Sequence, residues 1–257
     1  MSGPSLAELR ALGQPPAVLA RLNDEHWAGR LYMRRLSPYP NWLFARLGLS
    51  PNTVTALMIV AGLGGGLATA FGGLGTAVIA AAAIQLHLLL DCSDGELARW
   101  SGQTSAGGIF LDRVGHYLTD GALLTGLGIR AQGHLTLSGG WVSTGLGAAL
   151  LALIVKAETD SVVVARSSFG MNGGHGDEAL APRSSGLALA RRLASVLRVH
   201  RIIQATELSM LILVAAIADT VRGGLLATHV LLVACLVVAG VMVLAHLVAI
   251  MASGRLR

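Results

Sequence analysis

Acidic side chains set inside long apolar stretches constrain this chain more than any other feature. Asp91, Asp94, Glu96, Asp112 and Asp120 lie in or beside runs such as 74–90 and 121–129, which are almost wholly apolar or small. A carboxylate at a bilayer centre costs roughly 2.5–3.5 kcal/mol on insertion scales. Such groups persist where they line a wet cavity, sit near an interface or have partners, so they are functional candidates by default.

Composition agrees with a membrane setting. The 257 residues are 53% hydrophobic and only 13% charged, with a mean hydropathy of +0.65. A soluble domain carries about 25% charged residues. The expected fold class is therefore all-α: a polytopic membrane protein with six transmembrane helices and an N-terminal amphipathic interfacial helix. The net charge is +5, but the arginines flank apolar runs instead of forming a soluble basic face, so no nucleic-acid partner is expected. Cys92 and Cys235 have no paired-cysteine spacing and read as small buried hydrophobes. The first 50 residues lack an apolar leader core, so no cleavable signal peptide is expected.

Two regions follow. Residues 1–50 read as a cytoplasmic tail plus interfacial helix, and residues 51–257 as the membrane domain. Within the first, 1–22 read as a loosely attached tail. From Asn23 to Leu36 a capped helix places Trp27, Leu31 and Tyr32 near one another, flanked by Arg30, Arg34 and Arg35. Ser50-Pro51 is a helix start. Spans are expected at 51–71, 74–100, 105–130, 141–164, 204–221 and 225–251, each near or above the roughly 20 residues needed to cross. Gly62, Gly64, Gly65 and Gly66 read as close-packing positions, since no phosphate-loop Lys follows. In the long 165–203 loop, Arg191, Arg192, Arg198 and Arg201 alternate with apolar residues, as in a basic interfacial helix. With six spans, 15 of the 19 basic residues fall on the side of both termini. That side is the cytoplasm by the positive-inside rule. The acidic stretch then sits at the cytoplasmic ends of the second and third spans.

At about 100° per residue, Asp91, Asp94, Gly95 and Ala98 share one helix face, and Gly108, Asp112, His116 and Asp120 share another. Two small-plus-acidic faces can enclose hard oxygen ligands suited to Mg²⁺, Mn²⁺ or Ca²⁺. Arg99 offers a planar fork for phosphate.

The same residues resemble the signature of the CDP-alcohol phosphotransferase family, D-x2-D-G-x2-A-R-x8-G-x3-D-x3-D. Asp91, Asp94, Gly95, Ala98, Arg99, Gly108 and Asp112 match at the required spacings, and His116 stands where the pattern ends in aspartate. The approach residues Arg35, Ser37 and Ser50-Pro51-Asn52 resemble the family as well. The resemblance implies transfer of a substituted phosphate group from a CDP-linked donor to an alcohol or alcohol-phosphate acceptor. CMP is released, in phospholipid or related phosphodiester biosynthesis. It implies Mg²⁺ or Mn²⁺ on Asp91, Asp94 and Asp112. It implies a nucleotide site shaped by Gly95, Ala98 and Gly108 and assisted by Arg99, with His116 at the catalytic-base position. It also implies a homodimer among membrane lipids, in a bacterial cell membrane with the site facing the cytoplasm.

Several roles stay open in the sequence. His116 can be a base, a metal ligand or a structural residue of a member that lost activity. Asp120 can orient His116 or lie too deep to join it. Lys156 can bind an acceptor phosphate or pair with an acid. His87 reads as a packed polar residue. The motif acids could instead form a salt-bridge network with Arg99 and Arg113. A nucleotide- or lipid-binding subunit is the alternative function, and an ion-coupled transporter is a further one.

Overall fold

The computed structural model describes residues 4–16, 28–171, 203–252 and 256. Described residues are helical, with no strand among them. Helix α1 (Leu6–Gly13) is followed by a wide π-helical turn, Gly29–Met33, and one α turn, Arg34–Leu36. Then come α2 (Pro38–Arg46), α3 (Pro51–Ala70), α4 (Leu74–Ser101), α5 (Ala106–Ala131), α6 (Gly140–Ser168), α7 (Ala205–Arg222) and α8 (Leu226–Ala252). Each apolar stretch thus forms one long helix, with ends within a residue of the expected ones except at Ser168, where α6 continues past position 164.

Local chemistry sets these ends. Ser50 is extended and its Oγ accepts from Thr53 N, with Pro51 opening the helix. Gly102 closes α4 at φ 67°, a left-handed conformation suited to glycine. Ser105 Oγ then accepts from Gly108 N to open α5. The two motif helices are therefore joined by a short, doubly capped turn.

α3 packs against both α4 and α5, α5 against α6, α6 against α8, α8 against α7, and α7 back against α4. The six long helices form a closed ring, with α3 wedged beside the gap between the motif helices. The main apolar core occupies one half of the bundle, around Ile84, Leu123, Leu124, Leu127, Leu208, Ile212 and Leu232. The motif acids lie in the other half, at the C-terminal end of α4 and the N-terminal end of α5.

Pro51–Ala70, Leu74–Ser101 and Leu226–Ala252 are long and apolar enough to cross a membrane. The other three long helices carry more charge, including Asp112, Arg113, Asp120 and Arg130 on α5 and Lys156, Glu158, Asp160 and Arg166 on α6.

Small residues set the spacing of the ring. A Cβ at Gly62 would overlap Thr119, and one at Gly126 would stand 2.3 Å from Gly66 O, whereas Gly64 faces open space. This contrast gives an expected result of opposite signs. Gly64→Ala should raise the thermal midpoint in detergent slightly, since alanine in a helix is worth about 0.5–1 kcal/mol over glycine. Gly126→Ala should lower it by the equivalent of about 1–3 kcal/mol, the usual overpacking cost.

The N-terminal region departs from expectation. α1 is not a loose tail. Ser5 caps it, Leu9 is buried, and it lies along the last turn of α4. Trp100 Nε1 donates to Glu8 Oε1 at 3.2 Å, and Arg99 Nε donates to Gly13 O at 2.7 Å. Of the expected interfacial helix, positions 23–27 lie outside the described residues. In the remainder, Leu31 is exposed but Ala28 and Met33 are buried against Leu88 and Cys92. This part therefore also packs on the bundle, and Tyr32 reaches inward to donate to Gln85 Oε1. The expected basic helix at 191–202 lies outside the described residues. Cys92 and Cys235 are both buried and unbridged, as their surroundings suggested.

Candidate functional site

The site forms where the C-terminal half of α4 faces the N-terminal half of α5. His116 Nε2 lies 3.0 Å from Asp91 Oδ1 and 3.4 Å from Asp112 Oδ1. One donor atom from each of Asp91, Asp112 and His116 falls within 4.8 Å of the others. Two carboxylates and an imidazole form a donor set that fits a divalent cation. Asp112 Oδ1 adds a sign of fit: the atom is buried and its 3.4 Å approach to His116 Nε2 is not a well-formed hydrogen bond. A buried acceptor left unsatisfied is costly unless something else compensates it. All three side chains are partly exposed, so the cleft is open to solutes.

Asp94 sits one turn further along α4 and is buried. Its Oδ2 accepts from Thr55 Oγ1 of α3 at 2.6 Å. The cluster of donor atoms therefore contains His116, while Asp94 is fixed beside it by Thr55, a residue the sequence reading did not single out. Gly95 and Ala98 are half-buried on the same helix. The guanidinium of Arg99 lies over Gly95, with Nη1 3.2 Å from where a Cβ would stand. Across the cleft, a Cβ at Gly108 would come 3.2 Å from Asn52 Oδ1. The glycines of the motif thus let Arg99 and Asn52 lie close against the backbone of the two walls.

Behind His116 lies His87, 5.5 Å away in an edge-to-face arrangement. Its Nδ1 is 3.0 Å from Met58 O, and it is buried, in keeping with a packed polar role. A cavity of about 40 Å³ lies between His87, His116, Asp120, Lys156 and Gln204. That is room for a small number of waters.

Asp120 does not reach toward His116 in its observed contacts. Its Oδ2 pairs with Lys156 Nζ at 2.5 Å, and its Oδ1 accepts from Ala205 N at 2.9 Å, capping α7. Asp91 is the carboxylate that orients the imidazole. Arg113 pairs with Asp160, which also accepts from Tyr117, instead of bridging the motif acids. Glu158 pairs with His246. Of these α6 charges, Lys156 and Asp160 therefore face α5 and Glu158 faces α8.

Glu96 is among the candidate acids of the sequence, which assigns it neither partners nor a role. It is 2% exposed, on the side of α4 away from the aspartates. Its Oε1 accepts from Gln14 Nε2 at 2.9 Å and Arg34 Nη1 at 3.2 Å. Its Oε2 accepts from Asn41 Nδ2 at 3.0 Å, and Ser37 Oγ lies within 2.8 Å of both oxygens. The available signal was its setting: a glutamate in an apolar helix needs donors, and the N-terminal region is polar enough to supply them.

No protein-family model matches the chain. Over 127 residues it is 32% identical to the phosphatidylinositol phosphate synthase of Streptomyces avermitilis. The match covers 49% of this chain and 50% of that protein, so the chain spans about half the length of the curated relative it matches.

Proposed function

We propose that this chain is an integral membrane CDP-alcohol phosphotransferase with six spans. The observation that carries the reading is the convergence of Asp91, Asp112 and His116 across facing helices, at the motif spacing, beside small-residue walls. Similarity to a phosphatidylinositol phosphate synthase supports it and favours an alcohol phosphate as acceptor. The setting is phospholipid or related phosphodiester synthesis.

Asp91 and Asp112 hold the divalent cation, Mg²⁺ or Mn²⁺, with Asp94 beside them. When bound, the cation neutralises the pyrophosphate and stabilises charge developing on departing CMP. Gly95, Ala98 and Gly108 admit the nucleotide, and Arg99 supplies a phosphate-binding fork. The acceptor oxygen forms a new bond to the phosphorus that carries the donor alcohol. The bond from that phosphorus to the CMP oxygen breaks, and CMP takes the electron pair. His116 takes the hydroxyl proton at Nδ1, the ring nitrogen left basic when Nε2–H donates to Asp91, and Asp91 stabilises the resulting imidazolium.

The exterior supports a membrane setting: Val60, Leu67, Ile79, Leu150, Val241 and Leu244 are all at least 60% exposed. Large outward apolar surface marks a membrane contact. Two charge pairs of α5, α6 and α8, Asp120–Lys156 and Glu158–His246, are met inside the bundle, as intramembrane charges require. Both termini and the site face the cytoplasm, and the protein acts as a homodimer in a bacterial cell membrane. In intact cells, a membrane-impermeant thiol reagent should label a cysteine at Leu135 and spare one at Gln103; the reverse pattern overturns this orientation.

The functional test is CMP release by purified protein in lipid, given CDP-diacylglycerol or soluble CDP-alcohols with alcohol and polyol-phosphate acceptors. Turnover with one pair supports the proposal. Cation-dependent CDP binding with no turnover in any combination favours a nucleotide-binding subunit, which is the reading His116 at the motif's last position keeps open.

A further inference from the structure

The motif arginine is held by a segment that the motif does not contain. Arg99 Nε donates to Gly13 O at the end of α1, and the guanidinium is thereby laid over Gly95, one residue from Asp94. α1 is itself fastened through Glu96. Gln14, the residue after Gly13, donates to both Glu96 Oε1 and Arg34 O, at 2.9 and 2.7 Å. Arg34, Ser37 and Asn41 supply the other donors to the same carboxylate. The fit is close: a Cβ at Gly13 would stand 3.1 Å from Glu96 Cβ.

The contacts to α4 join positions 55 to 86 residues apart in the chain. Their donors come from three separate N-terminal pieces: Gln14 after α1, Arg34 in the turn, and Ser37 and Asn41 at α2. One buried carboxylate gathers them. A hydrogen-bonded buried charge of this kind is strongly selective for its partners, because removing its charge leaves several donors facing an amide.

We propose that Glu96 is a positioning residue for nucleotide binding: it clamps the N-terminal segment to α4 so that the Gly13 carbonyl sets the guanidinium of Arg99. The inference rests on the nucleotide-site reading above. Glu96 lies on the opposite side of α4 from the metal-binding carboxylates and acts only through Arg99. Its loss therefore affects the nucleotide and leaves the bare cation alone.

Glu96→Gln keeps the volume but offers an amide where four donors converge. CDP affinity in the presence of Mg²⁺, measured by calorimetry on the full chain, should fall about tenfold, the scale of one lost charge-assisted contact. Mn²⁺ affinity without nucleotide should stay unchanged. Gly13→Val disturbs the same clamp from α1, outside the six-helix ring, and should weaken CDP similarly if Glu96→Gln does not fold. On an Arg99→Ala background neither change should weaken CDP further, since residues acting through one group are non-additive. Full additivity with Arg99→Ala, or unchanged CDP affinity in a folded clamp variant, overturns the proposal. Wild type that binds Mn²⁺ but not CDP overturns the nucleotide reading and this inference together. Wild type that binds CDP while the clamp variants match it overturns the inference alone.

Discussion

Asp112→Asn and Asp91→Asn should each cut CMP release by about a thousandfold or more. A bound cation contributes several kcal/mol of transition-state stabilisation, and each 1.36 kcal/mol is a factor of about ten in rate. The substitution keeps side-chain volume and removes the charge that holds the cation. Asp112 is the sharper of the two tests. Its buried Oδ1 makes a long, 3.4 Å contact with His116 Nε2 and no well-formed hydrogen bond, so a cation would complement it. Chelation of wild type should reproduce the loss, and added Mg²⁺ or Mn²⁺ should reverse it. Mn²⁺ affinity, read directly by electron paramagnetic resonance, should fall in both variants. Asp94→Asn separates the neighbouring role. Its amide oxygen can still accept from Thr55 Oγ1, so the fold survives. CDP binding with metal should fall sharply, while Mn²⁺ affinity alone should fall less than in Asp112→Asn. Unchanged Mn²⁺ affinity in Asp112→Asn would dismantle the metal centre.

The features legible in the sequence are those written in local periodicity. Ser50-Pro51 opens α3 because a hydroxyl cap and a fixed φ act within one turn. The 100° advance per residue puts Asp91 and Asp94 on one face and Asp112 and His116 on another. The facing of those two sets is seen in the 3.0 Å approach of His116 to Asp91. Glu96, Asp120 and Lys156 were harder to place because their partners are distant in the chain. Glu96 meets Gln14, 82 residues away, and Asp120 caps Ala205, 85 residues away. No local pattern encodes either contact. Distance in the chain hid α1 as well: its contacts to Glu96, Arg99 and Trp100 all come from residues 82 or more positions away. A short helix with one buried leucine has little periodic signal of its own.

His116→Asn should lower CMP release by about a hundredfold to ten-thousandfold, the usual contribution of general acid–base catalysis. The argument is positional. His116 follows Asp112 by one turn, and its Nε2 lies 3.0 Å from Asp91 Oδ1, which leaves Nδ1 to take up a proton. Asp91 can thus fix the ring and favour the protonated product state. His87 closes the other side of the imidazole, and the small cavity beyond leaves room for water. Asparagine retains a polar group of smaller reach but takes up no proton near neutral pH. CDP and Mn²⁺ affinities should therefore stay near wild type while turnover collapses. His116→Asp should recover part of the turnover, since a carboxylate can accept the proton from that position. The competing role is metal ligation by a ring nitrogen of His116, and it has a distinct signature. A ligand's loss weakens Mn²⁺ binding, and turnover returns at saturating metal. Full turnover by His116→Asn at saturating metal and substrates would move the base elsewhere, and the aspartates of the cleft would be the groups to test next.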